Sequence, residues 1–165
     1  MEIEVKIRAL MMDPNTGTPL IILKDINSEV MLPIWVRAYE ANAIAEAIEK
    51  IAPPRPMTHD LLRNLIVQTG ASVDRVVVTE LRDSTYYAVI ELRTPEGDLL
   101  VLDSRPSDAI ALALRSDCPI FVDEDVLQSS QNSSSDETHG EENVEANAEE
   151  DEWPDIIGDA GDLPM

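Results

Sequence analysis

Apolar positions in this chain recur with two different periods, and the changes of period lay out its elements. Ile3, Val5 and Ile7 alternate with Glu4, Lys6 and Arg8, the pattern of a strand covered on one face. A turn cluster at Asp13, Pro14, Asn15 and Gly17 follows, and Leu20, Ile21, Ile22 and Leu23 read as the returning strand. Residues 30–36 are apolar throughout, which predicts a strand buried on both sides, and Pro33 points to a sheet edge or a bulge. The period then lengthens. Across residues 37–51, Ala41, Ile44, Ala45, Ile48 and Ile51 share one face of a helix. The run Pro53-Pro54-Arg55-Pro56 ends it as an extended connector. Thr58 is expected to cap a second helix, which Gly70 stops in the left-handed conformation. Residues 73–81 and 86–92 form the next hairpin, 99–102 a further strand, 103–115 a third helix and 119–122 a last strand, with a helical turn at 123–127.

The order of these elements repeats. Shifting the chain by 66 positions lays residues 43–48 (AIAEAI) over 109–114 (AIALAL) and Asn42 over Asp108. Three strand-like runs precede each helix: 3–12, 19–24 and 29–36 in the first half, 73–81, 85–93 and 98–102 in the second. The pattern predicts an α+β fold with a mostly antiparallel sheet, an internally duplicated three-strand-plus-helix unit and an extra helix between the halves. A pseudo-two-fold would then bring the two helix starts near related positions.

Charge changes the domain picture. All 12 Lys and Arg lie in residues 1–127, together with 21 of the 33 acidic residues. Residues 128–165 carry the other 12 acids, no Lys or Arg, and few large apolar side chains. The expected division is therefore a globular domain at 1–127 and an acidic, disordered tail at 128–165. Trp153, Ile156 and Ile157 interrupt that tail and fit either a short partner-binding motif or an isolated apolar patch. The acidic domain lowers the expectation of unaided phosphate binding, because its field repels a polyanion.

Cys118 is the sole cysteine, which excludes an intrachain disulfide and a four-cysteine zinc site. The two histidines, His59 and His139, are far apart in sequence, so a metal would be a hard cation on carboxylate oxygens. No apolar run reaches the roughly 20 residues of a membrane helix, and no signal-peptide pattern opens the chain, so a soluble cytoplasmic protein is expected.

Candidate chemistry gathers at two helix starts. In DSRPSDAIALAL, residues 103–114, the charged residues Asp103, Arg105 and Asp108 precede an unbroken apolar run. Pro106 suits a first helical turn, Ser104 or Ser107 can cap it, and Asp108 is favoured by the helix dipole. Capping and an Asp103–Arg105 salt bridge would account for these residues structurally. Two carboxylates flanking an arginine also suit a divalent cation beside a phosphate. The second start holds Arg55, His59 and Asp60. Arginine offers a bidentate fork for phosphate and histidine is the side chain that changes charge near neutral pH, although capping and a packed ring would explain the same residues. Glu40, opening the first-repeat helix, is either a helix-dipole partner or a further carboxylate for the same metal. Tyr86 and Tyr87 point to opposite faces of one strand, and the chain has too few aromatics for a single-strand stacking platform.

The strings LPIWVRAYEANAIAEAI, PPRPMTHDLL and DSRPSDAIALALRSDCPIFV, in that order, resemble the bifunctional nuclease family over roughly residues 2–127. The resemblance implies an α+β fold from internal duplication, self-association, and degradation of both DNA and RNA. Plant members carry a further small C-terminal domain that the acidic tail does not resemble.

Two functional readings follow. In the first, Asp103, Asp108 and Glu40 hold Mg²⁺ or Mn²⁺, Arg55 and Arg105 neutralise charge on the phosphate, and His59, with Asp103 and Asp108, carries the hydrolysis. In the second, a homodimeric, non-catalytic module docks a small anion or a partner protein at the same corners, with the Asp and Arg residues paired to each other.

Overall fold

Alternating burial sets which side of each strand meets the helices. The computed structural model describes residues 1–135. Strands β1 (Glu2–Met12), β2 (Pro19–Asp25) and β3 (Met31–Trp35) form one antiparallel meander. Strands β4 (Ser72–Arg82), β5 (Thr85–Arg93) and β6 (Leu99–Ser104) form a second. Strand β7 (Ile120–Asp123) lies between them, antiparallel to β1 and parallel to β4. The result is a seven-stranded, mostly antiparallel sheet in the order β3-β2-β1-β7-β4-β5-β6. Each meander hands its chain to a helix, α1 (Ala38–Ile48) after β3 and α3 (Pro106–Ser116) after β6. Helix α2 (Thr58–Gln68) lies between the two halves in sequence, as expected.

The core lies between the sheet and these helices. Ile21, Leu23, Leu32, Ile44, Ile110 and Leu112 are fully buried in one apolar cluster with Val76, Val78 and Val122. Helix α3 is the central rod: Ala109 to Ala113 are all buried, and it packs on α1, α2, β4 and β5. Small alanines let the neighbours approach, and Ile110 and Leu112 fill the space between them.

Several boundaries differ from the sequence expectation. Strand β3 is not buried on both sides: Leu32 and Ile34 are buried while Met31 and Trp35 are 43% and 53% exposed. It is the edge strand that Pro33 predicts. Ile48, the last residue of α1, and Ile51 beyond it are also exposed, at 44% and 54%. Thr58 opens α2 instead of capping it. The cap position is Met57, whose backbone N–H donates to Asp60 Oδ2 at 2.9 Å. Similarly, neither Ser104 nor Ser107 caps α3. Arg105 holds the extended cap position, with Pro106 beginning the helix.

At the C-terminal side, a helix α4 (Glu124–Ser135) continues past the expected boundary at 127 and buries Val126, Leu127 and Ser130. The helix carries described structure past residue 127, and the remainder of the expected tail, with Trp153, lies outside the described residues. No described helix is long and apolar enough to cross a membrane.

Candidate active site

Three helix N-termini meet at one corner of the helical layer. Each contributes first-turn chemistry: Glu40 from α1, His59 and Asp60 from α2, Asp108 from α3. Arg105 reaches across from the strand–helix junction, where its extended backbone turns into the helix that Pro106 starts. The dipoles of the three helices favour these first-turn carboxylates.

These side chains form one connected chain. His59 Nε2 lies 2.8 Å from Asp108 Oδ1, and Arg105 Nε donates to Asp108 Oδ2 at 2.8 Å. Arg105 Nη2 donates to Glu40 Oε1 at 2.6 Å, joining α3 to α1. They line a cavity of about 320 Å3 together with Tyr39, Asn42, Glu46, Met57 and Thr58. The His59 and Glu40 side chains are each 12% exposed, whereas Arg105 is 55% exposed and lies open to solvent. Glu40 Oε2 is buried and has no hydrogen-bond partner among the described residues.

Burial raises the Asp108 carboxyl, but hydrogen bonds from Arg105 and His59 and the Arg105 charge outweigh it and hold the group below the usual carboxylate range. Glu40 follows the same balance, burial opposed by Arg105 and by its own backbone N–H. Asp108 is thus an acceptor only. Its contact with His59 assigns a proton to Nε2, which leaves Nδ1 as the nitrogen available to accept one. Arg105 Nη1 makes no hydrogen bond among the described residues, so the guanidinium keeps donors for an anion.

Of the sequence candidates, the structure brings together His59, Arg105, Asp108 and Glu40. It leaves out Arg55 and Asp103. Arg55 is exposed on the proline-rich connector and does not line the cavity. Asp103 pairs with Val89 in the sheet, one residue out of step with the inward-facing Leu102–Ile90 and Ser104–Ala88 pairs. It therefore projects from the sheet face opposite the helices. The expected Asp103–Arg105 salt bridge is replaced by Arg105 bridging Glu40 and Asp108.

The donor set does not fit a divalent cation as arranged. Three of the four oxygens of Glu40 and Asp108 are already taken by Arg105 and His59. Among the described residues no group of three His, Cys, Asp or Glu side chains could hold a metal ion.

A second ion pair backs the corner. Arg115, 8% exposed, donates from Nε to Asp60 Oδ1 at 2.8 Å and from its Nη atoms to the carbonyls of Ala111 and Ala43. Sequence reasoning missed this pair and the cavity residues Tyr39 and Asn42. The overlay of Asn42 on Asp108 in the internal repeat was the available signal for the second. A larger cleft of about 920 Å3 lies at the opposite ends of α1 and α3, beside Lys6, Arg8, Lys50 and Cys118. It contains no histidine, and burial pushes the Cys118 thiol up to about 11, away from a reactive thiolate.

Residues 21–135 match the family described as the bifunctional nuclease domain. An uncharacterized protein of Mycobacterium tuberculosis (strain ATCC 25618 / H37Rv) is 37% identical over 124 residues, spanning 75% of this chain and 73% of its own length. Bifunctional nuclease 1 of Oryza sativa subsp. japonica is 32% identical over 105 residues, 62% of this chain but 32% of that protein. Bifunctional nuclease 2 of Arabidopsis thaliana is 30% identical over 105 residues, with a similar share of each chain.

Proposed function

Since this chain belongs to the bifunctional nuclease domain family, we propose that it hydrolyses phosphodiester bonds of DNA and RNA at the corner where α1, α2 and α3 begin. The observation that carries the proposal is the Glu40–Arg105–Asp108–His59 chain beside a cavity. Asp108 fixes the His59 tautomer and steadies the ring. His59 Nδ1 takes a proton from water as the water oxygen bonds to phosphorus. The P–O bond to the leaving oxygen breaks, and that oxygen takes its proton from solvent. Arg105, held by two carboxylates, offers its remaining N–H groups to the non-bridging oxygens, where negative charge grows. The helix N-termini add to that stabilisation and offset the acidic surroundings. A divalent cation is left out of this scheme, because the carboxylates are committed to Arg105 and His59.

The test is cleavage of a DNA and an RNA oligonucleotide by purified wild type beside His59→Gln, Asp108→Asn and Asp103→Asn. The first two are expected to lower kcat by about 10²–10⁴-fold with unchanged circular dichroism. Asp103→Asn, on the far face of the sheet, is expected to cleave at the wild-type rate. Equal activity in all four proteins would mean that the corner is not where hydrolysis occurs.

One feature favours a second reading, a non-catalytic module that docks a small anion. The charged side chains are already paired with one another, so Arg105 serves structure as well as binding. A nucleotide that raises the melting temperature without being cleaved would support this reading over hydrolysis.

A further inference from the structure

The mouth of the corner carries side chains that the hydrolytic scheme does not use. Tyr39, in the first turn of α1, is 88% exposed and lines the cavity next to Glu40. Its side chain makes no hydrogen bond or ring contact among the described residues. Met57, at the cap position of α2, is 51% exposed and lines the same cavity with Thr58 and His59. A lone exposed aromatic is ordinary on a protein surface. Here two large apolar side chains, from two different helix starts, border one opening.

Free arginines stand beside them. Arg37 holds the extended position before α1, two residues from Tyr39, and Arg55 lies two residues from Met57. Each interval is at most about 7 Å of backbone. Both arginines are exposed, and neither side chain has a hydrogen bond or ion pair among the described residues. Arg63, one turn beyond His59 on α2, is exposed and unpaired in the same way. By contrast, Arg75, Arg82, Arg93 and Arg115 are each held by a carboxylate of the fold. Apart from Arg8, the arginines without such a partner all lie on or next to α1 and α2.

From these observations we infer that the corner holds one nucleobase of the substrate strand, stacked on Tyr39 and packed against Met57, with Arg37 and Arg55 on the phosphates to either side. The clamp rests on the hydrolytic reading in so far as that reading places nucleic acid at this corner. Stacking uses the π-face that every base has, and cations beside it track the backbone. Nothing in such a contact touches the 2′ position, so the clamp treats DNA and RNA alike. The cavity of about 320 Å3 lies at the small end of the roughly 300–1,000 Å3 range of ligand pockets, which suits one planar group and not a run of stacked bases. A base inside a duplex has both faces covered, so the clamp takes a base that is already unstacked. The free guanidinium groups also give an acidic domain a local attraction for a polyanion.

The test compares binding of a six-nucleotide thymidine strand with binding of its abasic counterpart, which keeps every phosphate and lacks every base. Full-length His59→Gln is the starting protein, because cleavage by it is expected to be slow. It is expected to bind the thymidine strand roughly 5- to 150-fold more tightly than the abasic one. Tyr39→Ala in that background is expected to lose the preference with its abasic affinity unchanged, and Tyr39→Trp to keep it. Arg37→Gln and Arg55→Gln are each expected to weaken both strands alike and to lower the log–log salt slope by about 0.7. Equal binding of the two strands by the starting protein, a preference that survives Tyr39→Ala, or arginine variants that leave both affinities unchanged would overturn the inference. If Tyr39→Ala abolishes the preference while wild type cleaves neither DNA nor RNA, the clamp stands and hydrolysis falls. If His59→Gln abolishes cleavage while Tyr39→Ala keeps the preference, hydrolysis stands and the clamp falls.

Discussion

Arg105 and Arg115 flank the two ends of α3, and each ties that helix to its neighbours through carboxylates, but they do so in opposite environments. Arg115 is 8% exposed and spends its donors on Asp60 and two backbone carbonyls, one from α1. Arg105 is 55% exposed, bridges Glu40 and Asp108, and keeps Nη1 unengaged among the described residues. A buried guanidinium with every donor spent can only hold elements together. An exposed one, steadied on one side and open on the other, is preorganised for an anion. The difference separates scaffold from site within one helix.

Replacing Arg115 should give the largest effect. Arg115→Met is expected to destabilise the protein by about 3–5 kcal/mol in denaturant titrations, because Asp60 and two carbonyls lose their donor in a mostly dry setting. Arg105→Met is expected to reverse the balance. Its solvent-facing pairs stabilise by no more than about 1 kcal/mol, while loss of a donor to the developing phosphate charge should lower kcat by roughly 10²–10³-fold. If Arg105→Met unfolded the protein and Arg115→Met impaired only turnover, the division would have to be exchanged.

Much of this arrangement was legible in the residues. Alternation and short apolar runs between turn residues located all seven strands, and Pro106, Gly70 and the 3.6-residue spacing located the helices they begin or end. Arg105 and Asp108 were readable as site candidates because a helix start fixes where its first turn points, although the ion pair between them was not. Asp103 is close to Arg105 in sequence but not in space. In a strand, one residue of offset reverses the face, and only the pairing with Val89 reveals which side Asp103 takes. Arg55 sits in a proline-rich connector, where no periodicity fixes a side-chain direction. The Arg115–Asp60 pair spans 55 positions and belongs to no local pattern, so only the packing of α2 against α3 exposes it.

Acid should weaken both arginine sites. Asp60 is raised by burial but lowered more by the Met57 N–H and by Arg115, and Asp108 and Glu40 are lowered on the same balance. A carboxylate with a depressed folded pKa contributes stability that is complete above its unfolded value and lost as pH falls through the folded one. Stability measured by denaturant should therefore decline from about pH 5 through the ordinary values of 4.5 and 3.8 and below. Asp60→Asn should start less stable and show a shallower decline, which separates the buried pair's share from that of the open corner.

The smallest expected response is to divalent cations, and it bears on the open corner alone. With Glu40 Oε1 and both Asp108 oxygens engaged, only the buried Glu40 Oε2 lacks a partner there. Mg²⁺ or Mn²⁺ at millimolar concentration should leave the melting temperature of wild type unchanged, since a ligand stabilises only by binding the folded state. Arg105→Met releases Glu40 Oε1 and Asp108 Oδ2, and a cation-dependent rise in melting temperature is expected in that variant alone. A rise of equal size in wild type would mean that Arg105 yields its carboxylates to a metal, and the sequence expectation of a metal-bound corner would then replace the metal-free scheme.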